Sequence, residues 1–371
     1  MRKAKKIDRR KFMKTGLAFG KGSTLFGLLP FSIACGRSGT NAEREEILRN
    51  AAQLTLTEIA QRKLHHGKGM FLNPFSAKEH GNMWRVLRWK IFGNNRFKSF
   101  YKDEPTVPVK IDWDSMKQQD GCGVTFIKHA CIMIRDLESC LLVDPVFFGL
   151  MWFTDFSPLV FDVNRMPRPD HILITHGHYD HLDTSSLKVF PNKTHVISPL
   201  GYDSAFESLG MHNRTQLDWF DAYKEGKREI ILLPCNHWTM RNPFVGPNRS
   251  LWGSFLVKGA SGFNIFISGD TASFDRFREI GETFRIDLAI FNLGAYEPRW
   301  FMAPSHLNPV ETVKAFMELH AKKLMVVHWG TFRLGDEPVH FPPLDIKREM
   351  KKQGLLDRLV HLDHGQTFHL T

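Results

Sequence analysis

Thr175-His176-Gly177-His178-Tyr179-Asp180-His181 sets four metal-capable side chains, at positions 176, 178, 180 and 181, within six residues. A strand sends alternate side chains to opposite faces and a helix repeats every 3.6 residues, so these offsets share no single face of either. They suit a turn wrapped around a pair of cations. The apolar run His171 to Ile174 precedes them, and Leu182-Asp183-Thr184 follows as a helix start. Working outward, three further candidates each follow an apolar run. His237 comes after Ile230 to Leu233, Asp270 after Phe263 to Ile267, and His328 directly after Leu324 to Val327. A lone histidine among the 18 in this chain would ordinarily be a surface or core residue. Several standing at strand ends are how a rigid sheet presents side chains to one shared site.

The rest of the body reads the same way. Short apolar runs at Val124 to Ile127, Cys140 to Val143, Ile172 to Ile174 and Leu288 to Phe291 join those above as expected strands. Helices are expected at Thr184 to Val189, Asp275 to Phe284, Pro309 to His320 and Leu344 to Lys352, with an earlier one from about Ala42 to Leu64. Strands alternating with helices indicate an α/β body. No internal repeat or low-complexity segment interrupts it.

Length and composition, 371 residues with 42% hydrophobic and 24% charged, are those of a globular chain and exclude disorder, collagen and coiled coil as whole-chain readings. The formal net charge of +11 is misleading, because nine basic residues against Asp8 alone put +8 of it in the first 35 residues. A nucleic-acid-binding body carries its basic stripe outside any removable leader, so nucleic acid is not an expected partner. Asp8-Arg9-Arg10-Lys11-Phe12-Met13-Lys14 and the uncharged stretch Gly22 to Ala34, too short to span a bilayer, resemble a twin-arginine (Tat) export signal. Ser-Ile-Ala-Cys35 is similar to a lipoprotein acylation site. The expected organisation is a leader over 1–35, a helical and linker extension over 36–120 packed on the core, and a hydrolase domain over 121–371. The expected location is periplasmic or membrane-anchored in a bacterium, reached through the Tat machinery already folded. A single acyl chain gives only marginal membrane residence. Gly81 to Lys102, with six basic residues, no acidic ones and several aromatics, fits a membrane-surface segment or an ordinary packed helix. Cys122, Cys131, Cys140 and Cys235 form no C-x-x-C pair and read as small buried apolar residues, a disulfide among them being allowed but not predictable.

His-x-His-x-Asp-His with a later His, Asp and His resembles the metallo-β-lactamase fold superfamily. That resemblance implies an αββα sandwich with a binuclear metal site at its sheet edges. Carried over by motif position, His176, His178 and His237 would bind one metal, Asp180, His181 and His328 the other, and Asp270 would bridge. Five imidazoles and two carboxylates suit two zinc ions or another first-row divalent metal. Finer tracts narrow the family. Asn73-Pro74, Lys128-His129-Ala130, Asp144-Pro145-Val146-Phe147, Pro234-Cys235-Asn236-His237-Trp238, Leu251-Trp252-Gly253-Ser254, Gly294 to Met302, Ser305-His306 and His328-Trp329-Gly330-Thr331-Phe332 resemble N-acyl-phosphatidylethanolamine-hydrolysing phospholipase D. Lys128 departs from the glycine usual in that family.

The resemblance implies a phospholipid substrate at a membrane surface, cut by a metal-bridging hydroxide with Asp180 among the catalytic residues. His306 is the candidate for stabilising or protonating the leaving group. Tyr296, Glu297 and Arg299 would position phosphate or support the site, and Trp300 would offer an apolar wall; packing explains the four equally well. A lactonase or small-ester hydrolase of the same fold stays open, as does a non-enzymatic lipid-binding lipoprotein, although no ligand position is missing. Flavodiiron oxidoreductases place Glu where His178 stands. No Gly-x-Ser-x-Gly elbow supports a serine hydrolase. A homodimer is compatible with the family resemblance.

Overall fold

Neighbouring residues of the apolar runs enter different cores. Val124, Phe126, Ile132, Ile134, Leu141, Val143, Leu173 and Ile197 belong to one buried cluster, whereas Ile127, Met133, Leu142, Ile172, Ile174 and Val196 belong to another. The period of two makes each strand a wall shared by two layers. The computed structural model describes residues 41–76, 88–89, 93–114, 121–150, 153–242 and 244–371. The leader, Cys35 and most of the segment from Gly81 to Phe92 lie outside the described residues.

A two-stranded hairpin, β1 (His66–Gly67) and β2 (Met70–Phe71), precedes the body. The first sheet comprises β3 (Cys122–Lys128), β4 (Cys131–Asp136), β5 (Ser139–Val143), β6 (His171–Leu173), β7 (His195–Pro199) and β8 (Arg214–Leu217). The second comprises β9 (Ala222–Glu225), β10 (Arg228–Leu233), β11 (Ser254–Lys258), β12 (Asn264–Ile267), β13 (Leu288–Asn292), β14 (Lys323–Val327) and β15 (Leu359–Val360). A last strand, β16 (Thr367–Leu370), returns to the edge of the first, so the orders are β16-β3-β4-β5-β6-β7-β8 and β15-β14-β13-β12-β11-β10-β9.

The pairs β5-β6, β6-β7, β7-β8 and β12-β13, β13-β14, β14-β15 are parallel. Parallel neighbours need crossovers, and five of these six carry a helix. They are Thr184–Leu187, Asp203–Ser208, Phe277–Thr283, Pro309–Glu318 and Phe341–Lys352. Leu187 and Phe206 cover the outer face of the first sheet, and Phe277, Phe316, Ile346 and Met350 that of the second. The result is the expected αββα sandwich. Each fully buried Leu, Ile or Phe contributes about 1.5–3 kcal/mol, which makes the two sheets a rigid base for whatever their ends carry.

The expected single helix from Ala42 to Leu64 is instead two, Asn41–Ala52 and Leu56–Gln61. Thr55 breaks it with a capping box, accepting from the Glu58 amide at 3.2 Å while its own amide donates to Glu58 Oε2 at 2.8 Å. Thr55-x-x-Glu58 was legible as a start signal inside the run. Ala51, Leu56, Ile59 and Ala60 are buried in the same core cluster as Phe277 and Phe316. The Arg276 guanidinium donates to the carbonyls of Ala51 and Ala52 at 3.1 and 3.3 Å. Farther on, Trp89 packs against Trp300 and Phe301 and donates to Asp336 Oδ2 at 2.8 Å. Cys122, Cys131, Cys140 and Cys235 are buried free thiols. No helix among the described residues is long and apolar enough to cross a membrane.

Candidate metal centre

The carboxyl ends of the strands bring the motif residues together. His176 to His181 follow β6, His237 follows β10, Asp270 follows β12 and His328 follows β14. Asp270 lies among them, with Oδ2 3.7 Å from His176 Nε2, 3.3 Å from His181 Nε2 and 3.8 Å from His237 Nε2, and Oδ1 3.4 Å from His328 Nε2. Two groups result. His176, His178, His237 and Asp270 form one, and His129, Asp180, His181 and His328 form the other. All seven residues singled out from the sequence are therefore brought to one place, and His129 joins them.

Backbone and side-chain partners fix which ring nitrogen each histidine offers. His181 Nδ1 donates to Asp144 Oδ2 at 2.8 Å, His237 Nδ1 to the Ser305 carbonyl at 3.1 Å, and His176 Nδ1 to Thr175 Oγ1 at 3.0 Å. Each Nδ1–H is anchored, which leaves each Nε2 as the ring atom that faces the interior. Asp144 also accepts from the Thr175 amide and hydroxyl at 2.8 and 2.6 Å. Asn292, the last residue of β13, donates to Asp270 Oδ1 at 2.8 Å. The sequence reading assigned no role to Asp144, Asn292 or His129. All three end a strand or lie just beyond one, as the recognised residues do, so the same positional rule would have found them.

The donor set fits a divalent cation better than it fits itself. His176 Nε2 sits 2.9 Å from His178 Nδ1, and His237 Nε2 sits 3.4 Å from the same atom. Three buried imidazole nitrogens meet there. Among the described residues nothing pairs with His178 Nε2. Burial, reinforced by the neighbouring imidazoles, holds His176 well below its ordinary value, and burial brings His178 down to about 4. Neutral rings with inward lone pairs are what a metal takes. Burial likewise opposes the charge on His181, yet Asp270, Asp180 and Asp144 together carry that group well above its usual range. The carboxylates thus favour positive charge at the heart of the site.

His306 stands at the edge, Nδ1 3.8 Å from Asp270 Oδ2 and its ring 5.7 Å from that of His237. The four residues expected to support or contact substrate divide. Tyr296 is buried, with its hydroxyl donating to Asp345 at 2.7 Å and its amide to Glu337 at 3.0 Å. Glu297 accepts from Arg96 at 2.7 Å. Arg299 donates to Glu311 at 2.7 and 2.9 Å and to the His306 carbonyl at 3.0 Å. These three brace the loop that carries His306 rather than pointing free polar groups at a substrate. Trp300 is exposed, edge-on to Trp89. Lys128, the departure from glycine, is fully buried with its ammonium 2.7 Å from Asp155. A third cluster of His65, His66 and Asp218 also converges, but Lys63 and the Trp219 amide already occupy its carboxylate.

A two-sheet sandwich presenting these clusters defines the class: the chain is a metal-dependent hydrolase of the metallo-β-lactamase fold. The β-lactamase superfamily domain profile matches residues 140–329. The N-acyl-phosphatidylethanolamine-hydrolyzing phospholipase D 1 of Caenorhabditis elegans is 32% identical over 347 residues, covering 85% of this chain and 96% of that protein. The mitochondrial N-acyl-phosphatidylethanolamine-hydrolyzing phospholipase D of Saccharomyces cerevisiae is 32% identical over 71% of this chain, which spans 59% of the yeast protein. Among solved structures, an isothiocyanate hydrolase from Delia radicum gut bacteria superposes with a TM-score of 0.56 at 16% identity, covering 67% of this chain and 99% of that one. The chain belongs to the N-acyl-phosphatidylethanolamine-hydrolysing phospholipase D-like family of the β-lactamase superfamily.

Proposed function

We propose that this chain is a phospholipase D-type phosphodiesterase, hydrolysing N-acyl-phosphatidylethanolamine or a closely related glycerophospholipid to phosphatidic acid and the released head-group alcohol. The observation that carries this reading is the ring of His176, His178 and His237 on one side of Asp270 and Asp180, His181 and His328 on the other. It occurs in a chain 32% identical to a relative named for that reaction. In this reading the first trio would hold one zinc ion and the second trio another, with Asp270 available to both. When bound, such a pair supplies Lewis acidity toward the phosphodiester and a water activated near neutral pH.

The chain's own groups do the rest. Asp144, Thr175 and the Ser305 carbonyl keep three imidazoles in one tautomer, and Asn292 holds Asp270. Water adds to phosphorus, the bond from phosphorus to the head-group oxygen breaks, and that alkoxide takes a proton. His306, beside Asp270, is the residue placed to assist there. We further read the leader as directing export of the folded chain through the Tat machinery, with Cys35 acylated so that the enzyme works at a periplasmic membrane surface.

Product analysis by mass spectrometry tests the reaction. The metal-loaded chain on mixed micelles of N-acyl-phosphatidylethanolamine is expected to release phosphatidic acid and N-acylethanolamine, and Asp270→Asn to release neither. Metal bound with no lipid cut overturns the substrate assignment and brings the lactonase reading forward. Replacing Arg9 and Arg10 by lysine is expected to leave the protein in the cytosolic fraction; unchanged export removes the Tat reading.

A further inference from the structure

Among the described residues the most exposed large apolar side chain is Phe244, at 94%, followed at once by Val245 at 50%. They stand in the tract Arg241-Asn242-Pro243-Phe244-Val245-Gly246-Pro247-Asn248-Arg249. No acidic residue occurs between Glu229 and Asp270. An uncharged tip with the exposed Arg249 at its base has the pattern of a segment that buries apolar groups while its cation stays at the level of phosphate head groups.

The turn is held in shape. Asn242 Oδ1 accepts from the Phe244 amide at 2.9 Å, and the Asn242 carbonyl accepts from Val245 and Gly246 at 3.0 and 3.1 Å. Its base is closed by Asn248, which accepts from the Thr239 amide at 3.0 Å and donates to the Thr239 carbonyl at 2.7 Å. Arg249 binds the Val245 carbonyl at 3.0 Å and the Gly69 carbonyl at 2.6 Å. Such a framework projects Phe244 outward rather than letting it fold back.

The same turn is fastened to the metal-ligand candidates. Thr239 Oγ1 accepts from the Gly177 amide at 3.0 Å, and Arg241 donates to the carbonyls of Gly177 and Leu182 at 3.2 and 2.7 Å. Tyr179, itself 51% exposed between His178 and Asp180, donates its hydroxyl to the Arg241 carbonyl and lies under the guanidinium at 4.8 Å. An apolar tip rigidly joined to both ends of the His176 to His181 turn would fix the height of the catalytic mouth above a bilayer.

We propose that the tip Phe244-Val245 is an interfacial anchor, both side chains inserting among the acyl chains of an anionic lipid surface with Tyr179 at head-group level. This rests on the lipid-hydrolase reading, and the test keeps the two apart. In the full chain with Cys35 replaced by Ser, single Phe244→Cys and Lys227→Cys variants are labelled with an environment-sensitive fluorophore. Lys227 lies in the turn before β10, whose far end leads to His237, so its label faces away from the site. On vesicles of phosphatidylcholine with phosphatidylglycerol, lipid-borne quenchers are expected to quench the probe at 244 and leave that at 227 unaffected. Equal quenching at both positions, or none at 244, overturns the anchor.

Phe244→Ser/Val245→Ser is then expected to weaken vesicle binding about 10- to 100-fold and vesicle hydrolysis in parallel. Turnover of soluble bis(p-nitrophenyl) phosphate should be unchanged. Unaltered vesicle binding by this variant also overturns the proposal. Quenching at 244 in a chain that cuts no phospholipid would leave the anchor standing and remove the substrate assignment instead.

Discussion

His129 Nε2 lies 3.0 Å from Asp180 Oδ2, and its ring is 4.0 Å from that of His328. His129 is fully buried in a left-handed backbone conformation, φ 51°, and no group among those described pairs with its Nδ1. Burial holds the ring neutral, so it has one N–H. The acceptor at Nε2 decides where that hydrogen sits. A proton there leaves Nε2, the ring atom that faces Asp180, without a lone pair for a cation, which makes His129 a donor that orients Asp180.

Glutamine places an amide donor where His Nε2 stands but is a poor zinc ligand. His129→Gln is therefore expected to keep most of the bound metal, whereas His129→Leu should weaken metal binding about 10- to 100-fold. Metal content after chelator competition, read by atomic spectrometry, checks this. Loss in His129→Gln as complete as in His328→Ala would make His129 a ligand.

Gly177 is fixed by space. A Cβ there would meet Tyr202 Cε1 at 2.8 Å and Thr239 Oγ1 at 2.9 Å, and Tyr202 cannot withdraw because it is buried with its hydroxyl on the Leu251 carbonyl at 2.8 Å. Gly177→Ala should cost about 1–3 kcal/mol as an overpacked site and push His176 and His178 apart. A lowered unfolding midpoint together with lost metal is the expected pair of results. A stable variant with full metal would show that the turn has room to relax.

The convergence of the His176 to His181 turn with His237, Asp270 and His328 was legible because their side chains follow apolar runs, and a strand end is a position a sequence displays. Strands such as His195–Pro199, Arg214–Leu217 and Ser254–Lys258 were not, since the first two are short and mix polar residues among the apolar ones and the third is a short run set between Gly253 and Gly259. The break at Thr55 was overlooked because helix formers on both sides outweigh a single capping box. Tyr296, Glu297 and Arg299 show the opposite limit. Residue type suggests phosphate contact, but only the fold reveals that Asp345, Arg96 and Glu311 already hold them.

Away from the centre, Asp218 ties the β1 hairpin to the end of the first sheet. Its carboxylate accepts from His65, His66 and Lys63 at 2.5, 2.8 and 2.6 Å. Burial works against the carboxylate, but the bonds from His65 and Lys63 outweigh it and hold the group below its ordinary value. A depressed folded-state value means the stabilisation is present above the unfolded value near ~3.9 and is lost as pH falls toward the folded one. The gap in urea midpoint between the parent and Asp218→Asn should therefore be full above about pH 5 and shrink below it. A gap unchanged between neutral pH and about pH 3 would place the contribution in packing rather than charge.

Arg299 separates two roles by kinetics. Its guanidinium holds Glu311, which in turn accepts from the Asn308 amide at 3.0 Å and so fixes the start of the helix Pro309–Glu318, and it holds the His306 carbonyl from the other side. Lysine keeps the charge and loses the planar fork. If Arg299 positions His306, Arg299→Lys should lower kcat on a lipid substrate about tenfold or more with KM nearly constant, since a misplaced group costs transition-state stabilisation and little binding. Direct phosphate contact predicts the reverse, a raised KM with kcat retained. A His306→Ala background decides the matter, because in it a positioning role leaves Arg299→Lys with little further effect, while a phosphate contact leaves its penalty intact.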